Sequence, residues 1–206
     1  MFCINLFDIL QNMERKWKIL LIGGSSGVGK STIARKFSEY YGIPLMEVDD
    51  IRIALQQIVK QEDHPDLFTF IKDEDHLDHY TTPELVEKLV AVGNVLTPIL
   101  KKIIEKHILC NEPMVMEGDS ILPELVTLVS GPEVRSVFLY DDKEHIQERT
   151  KRRGREGILS EKSLHKQATL SFSYGEYIKE QVQKKKFNLI KVSPIETVFE
   201  RILTSI

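Results

Sequence analysis

The sequence predicts an α/β fold: a mostly parallel sheet of five strands with helices on both faces. Five short, nearly unbroken apolar runs are typical of strands that are buried on both faces. Segments whose apolar residues recur at helical spacing alternate with these runs, which favours a parallel sheet with helical crossovers. The chain has 206 residues and is 42% hydrophobic, which is enough for one domain with a full core.

A glycine-rich turn separates the first strand from the first helix. The apolar run from Trp17 to Gly23 predicts a buried strand. Apolar residues recur at helical spacing from Ser31 to Tyr41, and Gly42 follows where glycine commonly ends a helix. A strand, a glycine-rich loop and a helix therefore follow one another directly.

The middle of the chain contains a short strand and a long helical region. Pro44–Val48 predicts the strand, which ends at Asp49-Asp50, and a helix follows from Ile51 to about Lys60. A second helical region begins at Thr82, a good capping residue, and continues to about Leu109 with a potential interruption at Gly93-Asn94.

Three further strands are predicted in the second half of the chain. They are the apolar runs Pro113–Glu117, Val134–Tyr140 and Phe187–Val192. Helices are predicted after them or between them at residues 141–153, 160–186 and 195–206.

The loop Gly24–Ser31 matches the phosphate-binding pattern G-x-x-x-x-G-K-[ST]. Its glycines let backbone N–H groups point at a phosphate, and the start of the next helix adds positive partial charge. Lys30 can reach the β- and γ-phosphates, and the Ser31 hydroxyl can ligate Mg²⁺. The sequence therefore predicts a site for ATP and Mg²⁺ formed by Gly24, Ser25, Ser26, Gly27, Val28, Gly29, Lys30, Ser31 and Thr32.

Acidic residues follow the second and third strands, at the edge of the sheet where ligands bind. Glu117 is the predicted metal-supporting acid, and Asp119 is the alternative. Asp49 or Asp50 could accept a proton from a substrate hydroxyl or hold that hydroxyl in line with the γ-phosphate. Arg52 could bind an anionic group of the substrate. The alternative is that these carboxylates only cap the helices that follow.

One dense basic cluster, at Arg149, Lys151, Arg152, Arg153 and Arg155, precedes a glycine-containing loop. Arginines on a mobile loop can close over ATP and stabilise the charge of the transition state. We therefore predict catalytic roles for Arg152 and Arg155. A solvated basic patch and an RNA-binding patch are the alternatives.

Composition and charge exclude several other classes of protein. The formal net charge of -3 argues against nucleic acid as a partner. No apolar run is long enough to span a bilayer, and residues 1–17 lack the pattern of a secretory signal, so a cytoplasmic protein is expected. Residues 1–16 form an amphipathic N-terminal extension that could pack on the body of the protein or on a second subunit, as in a homodimer.

Together these motifs resemble the small P-loop kinases of the nucleoside-monophosphate and shikimate/gluconate kinase type. Within that group, three segments look like the 2-phosphoglycerate kinase family: Gly23–Ala34, Val48–Arg52 and Met116–Leu125. The resemblance covers roughly residues 18–206.

The resemblance implies a P-loop NTPase fold with strand order 2-3-1-4-5 and a helical lid. It further implies one kinase domain at 17–206, a substrate-binding helical segment at about 50–110 and a lid at about 150–160. Lys30 and Ser31 would contact phosphates and Mg²⁺, Asp49 or Asp50 and Arg52 the acceptor, and residues 152–155 would belong to the lid.

The leading hypothesis is an ATP- and Mg²⁺-dependent kinase for a hydroxyl of a small anionic metabolite, similar to 2-phosphoglycerate. Fold does not fix the acceptor, so its identity stays open. One alternative is a nucleotide-binding switch or regulatory ATPase without a small-molecule acceptor. Another is a kinase that acts on a nucleoside or nucleotide.

Overall fold

A parallel sheet of five strands forms the centre of the protein. The computed structural model describes residues 15–70, 79–154 and 160–206. The strands are β1 (Ile19–Gly24), β2 (Leu45–Glu47), β3 (Met114–Glu117), β4 (Val134–Tyr140) and β5 (Leu189–Lys191). All pairs are parallel, and the order in the sheet is β2-β3-β1-β4-β5, which confirms the predicted fold class.

Helices connect the strands and cover both faces of the sheet. They are α1 (Lys30–Tyr41), α2 (Val48–Gln56), α3 (Thr82–Leu109), α4 (Pro123–Val129), α5 (Lys143–Gly154), α6 (Glu161–Lys185) and α7 (Val198–Leu203). A short 3-10 helix, Pro65–Phe68, lies between α2 and α3.

The side chains of β1 alternate between two hydrophobic cores. Ile19 and Leu21 belong to the core beneath α3, α4 and α6, whereas Leu20 and Ile22 belong to the core beneath α1 and α7. All four side chains are fully buried. Because successive residues of a strand point to opposite faces, a strand covered on both faces needs a continuous apolar run.

Helix α2 begins at Val48, three residues before the predicted start at Ile51. Glu47 is its N-cap, so Asp49-Asp50 lies in the first helical turn rather than at the end of a strand. Val48 packs tightly on Gly118, where an added Cβ would lie 2.7 Å from the Val48 Cβ. This close contact, together with the preference of acidic residues for the first turn, explains the earlier start.

Helix α3 is one continuous helix of 28 residues, so the interruption suggested at Gly93-Asn94 is wrong. Gly93 packs against Leu122, whose side chain would lie 2.7 Å from an added Cβ. The absence of a side chain at Gly93 therefore lets α3 pack closely against the chain after β3. The helix is capped by Thr81, one residue before the predicted cap, in a reciprocal capping box with Glu84.

Helices α1, α5, α6 and α7 begin and end within a few residues of their predicted bounds. Most of the predicted N-terminal extension, residues 1–14, lies outside the described residues, so its role and the homodimer stay predictions. Arg15 stacks over Trp17, with its guanidinium carbon 5.2 Å from the ring centre. Among the described residues, no helix is both long and apolar enough to cross a membrane.

Candidate active site

The phosphate loop, Gly24–Ser31, joins β1 to α1. Gly24, Gly27 and Gly29 have positive φ angles of 136°, 73° and 109°, a conformation that favours glycine. A Cβ at Gly24 would also lie 2.5 Å from the carbonyl oxygen of Leu139. Gly29 is the N-cap of α1, so the free N–H groups of the first helical turn are available to bind an anion at this loop.

The side chains of the phosphate loop divide into two sets. Lys30 is 8% exposed, and its Nζ donates a hydrogen bond to the carbonyl oxygen of Ser25 at 3.0 Å. Ser25 and Val28 are fully buried, so their contribution to nucleotide binding would come from the backbone. The Ser25 hydroxyl has no partner among the described residues and lies against Gly175 of α6.

Three elements enclose a pocket of about 70 Å³, which we call the phosphate pocket. The loop contributes Ser26, Gly27, Gly29, Lys30 and Ser31, the start of α2 contributes Glu47, Val48 and Asp49, and the end of β3 contributes Glu117, Gly118 and Asp119. Asp50 and Thr32 are not part of this lining, and both are exposed, as is the part of Asp49 that does not face the pocket. The structure thus brings the phosphate loop together with acidic residues from two other elements.

Glu117 has the properties of a metal-supporting acid. It is 4% exposed, and within the described ranges no cation or hydrogen-bond donor pairs with its carboxylate. The carboxylate lines the pocket, so a cation bound there would balance its charge. Glu117 and the Ser31 hydroxyl line the same pocket and offer the oxygen ligands that Mg²⁺ prefers. These residues therefore fit a Mg²⁺ ion.

Asp49 lies on the wall of the pocket, where its carboxyl group experiences several neighbouring charges. Partial burial raises the pKa of Asp49 above its ordinary value, and the negative charge of Asp119 raises it further. The positive charges of Lys30 and Arg52 act in the opposite direction on this pKa. A carboxylate whose pKa is raised is better suited to accept a proton from a substrate hydroxyl.

Asp119 is fixed in position by α6. The phenol of Tyr174 donates a hydrogen bond to the Asp119 carbonyl oxygen at 2.7 Å. Tyr174 is 1% exposed, and burial raises its pKa well above the ordinary value, as does the charge of Asp119. Tyr174 therefore keeps its proton and ties the end of β3 to α6.

Arg52 is anchored by one side of its guanidinium group. Its Nε donates to the carbonyl oxygen of Leu67 at 3.2 Å, and the group lies 5.8 Å from the ring centre of Phe70. Gln56 donates to the same carbonyl oxygen, so α2 and the 3-10 helix are held together. In the described part of the chain, the two terminal nitrogens of Arg52 have no partner, which leaves them available to an anion.

The base of the predicted lid is attached to the phosphate loop. Nε of Arg149 donates to the carbonyl oxygen of Gly27 at 2.8 Å, and its guanidinium group forms an ion pair with Asp141. The side chain of Asp141 is fully buried and also accepts a hydrogen bond from Ser193 at 2.8 Å. Asp141 after β4, Arg149 on α5 and Ser193 after β5 are therefore linked to one another, and Arg149 links them to the phosphate loop.

Asp141 should stabilise the fold, and the contribution should depend on pH. Burial alone would raise the pKa of Asp141, but the hydrogen bonds from Arg149, Ser193 and the Asp142 backbone outweigh it and hold the pKa below its ordinary value. We expect Asp141→Asn to lower the free energy of unfolding by about 2 kcal/mol near neutral pH. The difference from wild type should disappear as the pH falls below about 4 toward the folded-state pKa, because both forms are then neutral.

Denaturant titrations at several pH values test this prediction. The control is Glu144→Gln, which removes an exposed acid from the start of α5. Equal stability of Asp141→Asn and wild type at neutral pH would contradict the expected role of the buried carboxylate.

The sequence-predicted lid residues are only partly covered by the structure. Arg152 is exposed on α5, and Arg155 lies outside the described residues. Sequence reasoning counted Arg149 only as one member of a basic cluster and did not find Asp141. The available signal was an acid directly after the apolar run of β4, at the ligand-binding edge of a parallel sheet.

No family model matches the chain. A 2-phosphoglycerate kinase from Methanocaldococcus jannaschii is 25% identical over 122 residues, which are 55% of this chain and 38% of that protein. The match thus spans less than half of the relative.

Solved structures show the same fold over nearly the whole chain. An uncharacterized protein from Eubacterium ventriosum has a TM-score of 0.51 at 18% identity and covers 93% of this chain and 98% of its own. Shikimate kinase from Bacteroides thetaiotaomicron has a TM-score of 0.50 at 14% identity, with 91% and 98% covered. The sheet order and these similarities show that the chain has the P-loop kinase fold.

Proposed function

We propose that this protein is an ATP- and Mg²⁺-dependent kinase that transfers the γ-phosphoryl group to a hydroxyl of a small anionic metabolite. One observation carries the proposal: the phosphate pocket is lined by Lys30 together with Asp49 of α2 and Glu117 of β3. Asp49 stands on the wall opposite the loop, where a carboxylate could act on an acceptor hydroxyl. The fold of a shikimate kinase is consistent with this assignment.

In this proposal the phosphate loop binds the phosphates of ATP. On binding of ATP, we expect Lys30 to exchange its hydrogen bond with the Ser25 carbonyl for the β- and γ-phosphates. Ser31 and Glu117 would hold Mg²⁺, which neutralises charge on the phosphate oxygens when it is bound. The positive end of α1 adds to this stabilisation of developing negative charge.

In this proposal helix α2 provides the residues that act on the acceptor. The acceptor hydroxyl attacks the γ-phosphorus, the bond to the β,γ-bridging oxygen breaks, and ADP leaves. Asp49 would accept the proton of the hydroxyl as its oxygen attacks. Arg52 would bind the anionic group of the acceptor through its free terminal nitrogens. The resemblance to 2-phosphoglycerate kinases makes 2-phosphoglycerate the first acceptor to test.

Arg152 should act in the chemical step more than in ATP binding. It lies exposed on the last part of α5, within the predicted lid at about 150–160, and closure over ATP would bring it to the transferred group. We expect Arg152→Ala to lower kcat by about 10²-fold, the cost of one charge-stabilising donor, with ATP affinity nearly unchanged. Arg155→Ala should behave in the same way.

Steady-state kinetics measure the effect of Arg152→Ala on kcat, and nucleotide titrations measure its effect on ATP affinity. Lys36→Ala, which removes an exposed cation from α1, is the control and should retain wild-type turnover. Wild-type kcat in both lid variants would refute the lid assignment.

The proposed function is tested by measuring ADP release with ATP·Mg²⁺ and a panel of acceptors. The panel contains phosphorylated glycerates, sugars and sugar acids, nucleosides and nucleoside monophosphates. We expect at least one acceptor to stimulate ADP release and to appear as a phosphorylated product. Slow ATP hydrolysis that no acceptor stimulates would favour the nucleotide-binding switch instead.

A further inference from the structure

Helix α6 lies against two walls of the phosphate pocket. Its buried face contains Ser171, Tyr174, Gly175 and Ile178, which follow the spacing of one side of a helix. Successive residues of a helix point about 100° apart, so Tyr174 and Gly175 can contact different neighbours. Tyr174 contacts the turn after β3, and Gly175 contacts the phosphate loop. One turn of α6 therefore touches both the phosphate loop and the acidic end of β3.

Tyr174 holds the pocket wall where that wall leaves the sheet. The backbone of Glu117 is fixed by pairing with β1 on one side and β2 on the other, and the Gly118 N–H donates to the Ile22 carbonyl oxygen. Beyond this point, the Tyr174 phenol donates to the carbonyl oxygen of Asp119 at 2.7 Å. Gly118 and Asp119 both line the phosphate pocket. The hydrogen bond therefore fixes the part of the wall that sheet pairing no longer supports.

Gly175 sets the position of the phosphate loop by close packing. A Cβ added at Gly175 would lie 3.1 Å from the Ser25 hydroxyl oxygen and 3.6 Å from the Ser25 Cβ. The Ser25 side chain is fully buried, and in the described part of the chain its hydroxyl has no hydrogen-bond partner. Packing against α6 therefore holds this side chain in place. The carbonyl oxygen of Ser25 accepts the hydrogen bond of Lys30, so a shift of Ser25 would reach the site where phosphates bind.

We propose that Tyr174 and Gly175 are positioning residues that set the distance between the phosphate loop and the acidic end of β3, and with it the fit of the pocket to a Mg²⁺–nucleotide complex. The proposal rests on the assignment of this pocket to Mg²⁺ and ATP in the proposed function. Ser31 of the loop and Glu117 of β3 line one pocket of about 70 Å³ but belong to separate elements. Mg²⁺ demands near-ideal octahedral geometry with ligands at about 2.1 Å, so a small shift of either wall would weaken metal binding.

Tyr174→Phe tests the β3 side of this arrangement. The variant removes the phenol oxygen and keeps the ring, which belongs to the core beneath α3, α4 and α6. Binding of the ATP analogue AMP-PNP is measured by calorimetry over a range of Mg²⁺ concentrations. Affinity without Mg²⁺ should stay within about twofold of wild type, because the loop is unchanged. The Mg²⁺ concentration that gives half of the full gain in affinity should rise about five- to tenfold, the lower end of the cost of losing an outer-shell partner.

Tyr177→Phe is the matched control for Tyr174→Phe. It removes a phenol oxygen from the same helix, and its ring stacks on that of Tyr174 with the ring centres 6.3 Å apart. This control should show the Mg²⁺ dependence of wild type. An unchanged Mg²⁺ dependence in Tyr174→Phe, or an equal change in Tyr177→Phe, would overturn the role of Tyr174.

Gly175→Ala tests the loop side. The added methyl group should press on Ser25 and lower AMP-PNP affinity about tenfold, both with and without Mg²⁺. Alanine is the better helix former, so thermal unfolding should show that α6 is not weakened. Adding Ser25→Ala removes the hydroxyl oxygen that the methyl group meets and should recover most of the lost affinity. A double variant that binds no better than Gly175→Ala would overturn the role of Gly175.

The inference and the proposed function fail separately, because no acceptor takes part in these binding measurements. If no acceptor is phosphorylated but Tyr174→Phe and Gly175→Ala show the expected changes, the inference is supported and the kinase function is not. If an acceptor is phosphorylated but both variants bind the Mg²⁺–nucleotide complex as wild type does, the kinase function is supported and the inference is overturned.

Discussion

Replacing Lys30 with alanine is expected to lower kcat by at least about 10³-fold. The ammonium group is almost fully buried and is held at the phosphate loop by a hydrogen bond to the Ser25 carbonyl oxygen, so its charge is fixed where the phosphates bind. The loss should fall on the chemical step because charge on the transferred phosphoryl group grows in the transition state. ATP binding should weaken less, since the backbone N–H groups of the loop and the start of α1 remain.

The measurement combines turnover with the best acceptor, nucleotide binding by calorimetry and thermal unfolding. Lys36→Ala removes an exposed lysine from the same helix and should keep wild-type kcat. A shift in thermal stability common to both variants would be attributed to α1 rather than to the site. Normal turnover by Lys30→Ala would refute the assignment of the loop to phosphoryl transfer.

Asp49→Asn is expected to reduce kcat by about 10² to 10⁴-fold, the usual contribution of a positioned general base. Asn keeps the size of the side chain but cannot accept the proton of the acceptor hydroxyl. Since burial and the charge of Asp119 raise the pKa of Asp49, the wild-type kcat/KM should fall on acidification at a pH above about 4. The kcat/KM of Asp49→Asn should not show this fall at low pH.

Asp50→Asn is the matched control for Asp49→Asn. The two residues are adjacent in the first turn of α2, and only Asp49 lines the phosphate pocket. We therefore expect Asp50→Asn to turn over within a few-fold of wild type. The opposite result, with the large loss in Asp50→Asn, would assign the base to Asp50 and contradict the placement proposed for Asp49.

The sequence alone was sufficient to predict the fold class. The apolar run at Ile19–Gly24 and the glycine pattern that follows are local signals, because both depend on neighbouring residues only. Each of the five strands was found near its observed position, and the order of the sheet followed from the resemblance to known kinases. Local chemistry therefore determined where the strands, the first helix and the phosphate loop lie.

The start of α2 depended on tertiary packing. The sequence around Val48 suits a strand, but in the structure Val48 is the first residue of α2, packs on Gly118, and is followed by Asp49 in the lining of the phosphate pocket. Gly118 is 70 residues further along the chain, so no local pattern could show this contact. Asp49 and not Asp50 lines the phosphate pocket, whereas which of the two is the base stays a prediction.

The approach of Asp119 to Asp49 and the attachment of α5 to the phosphate loop also came only from the tertiary structure. Asp119 approaches Asp49 because β3 lies beside β2 in the sheet, and Arg149 reaches Gly27 across 122 positions of sequence. By itself, the sequence determined that a phosphate loop follows a buried first strand. Which acids and arginines face that loop was decided by the packing of distant segments, because long-range contacts have no local sequence signal.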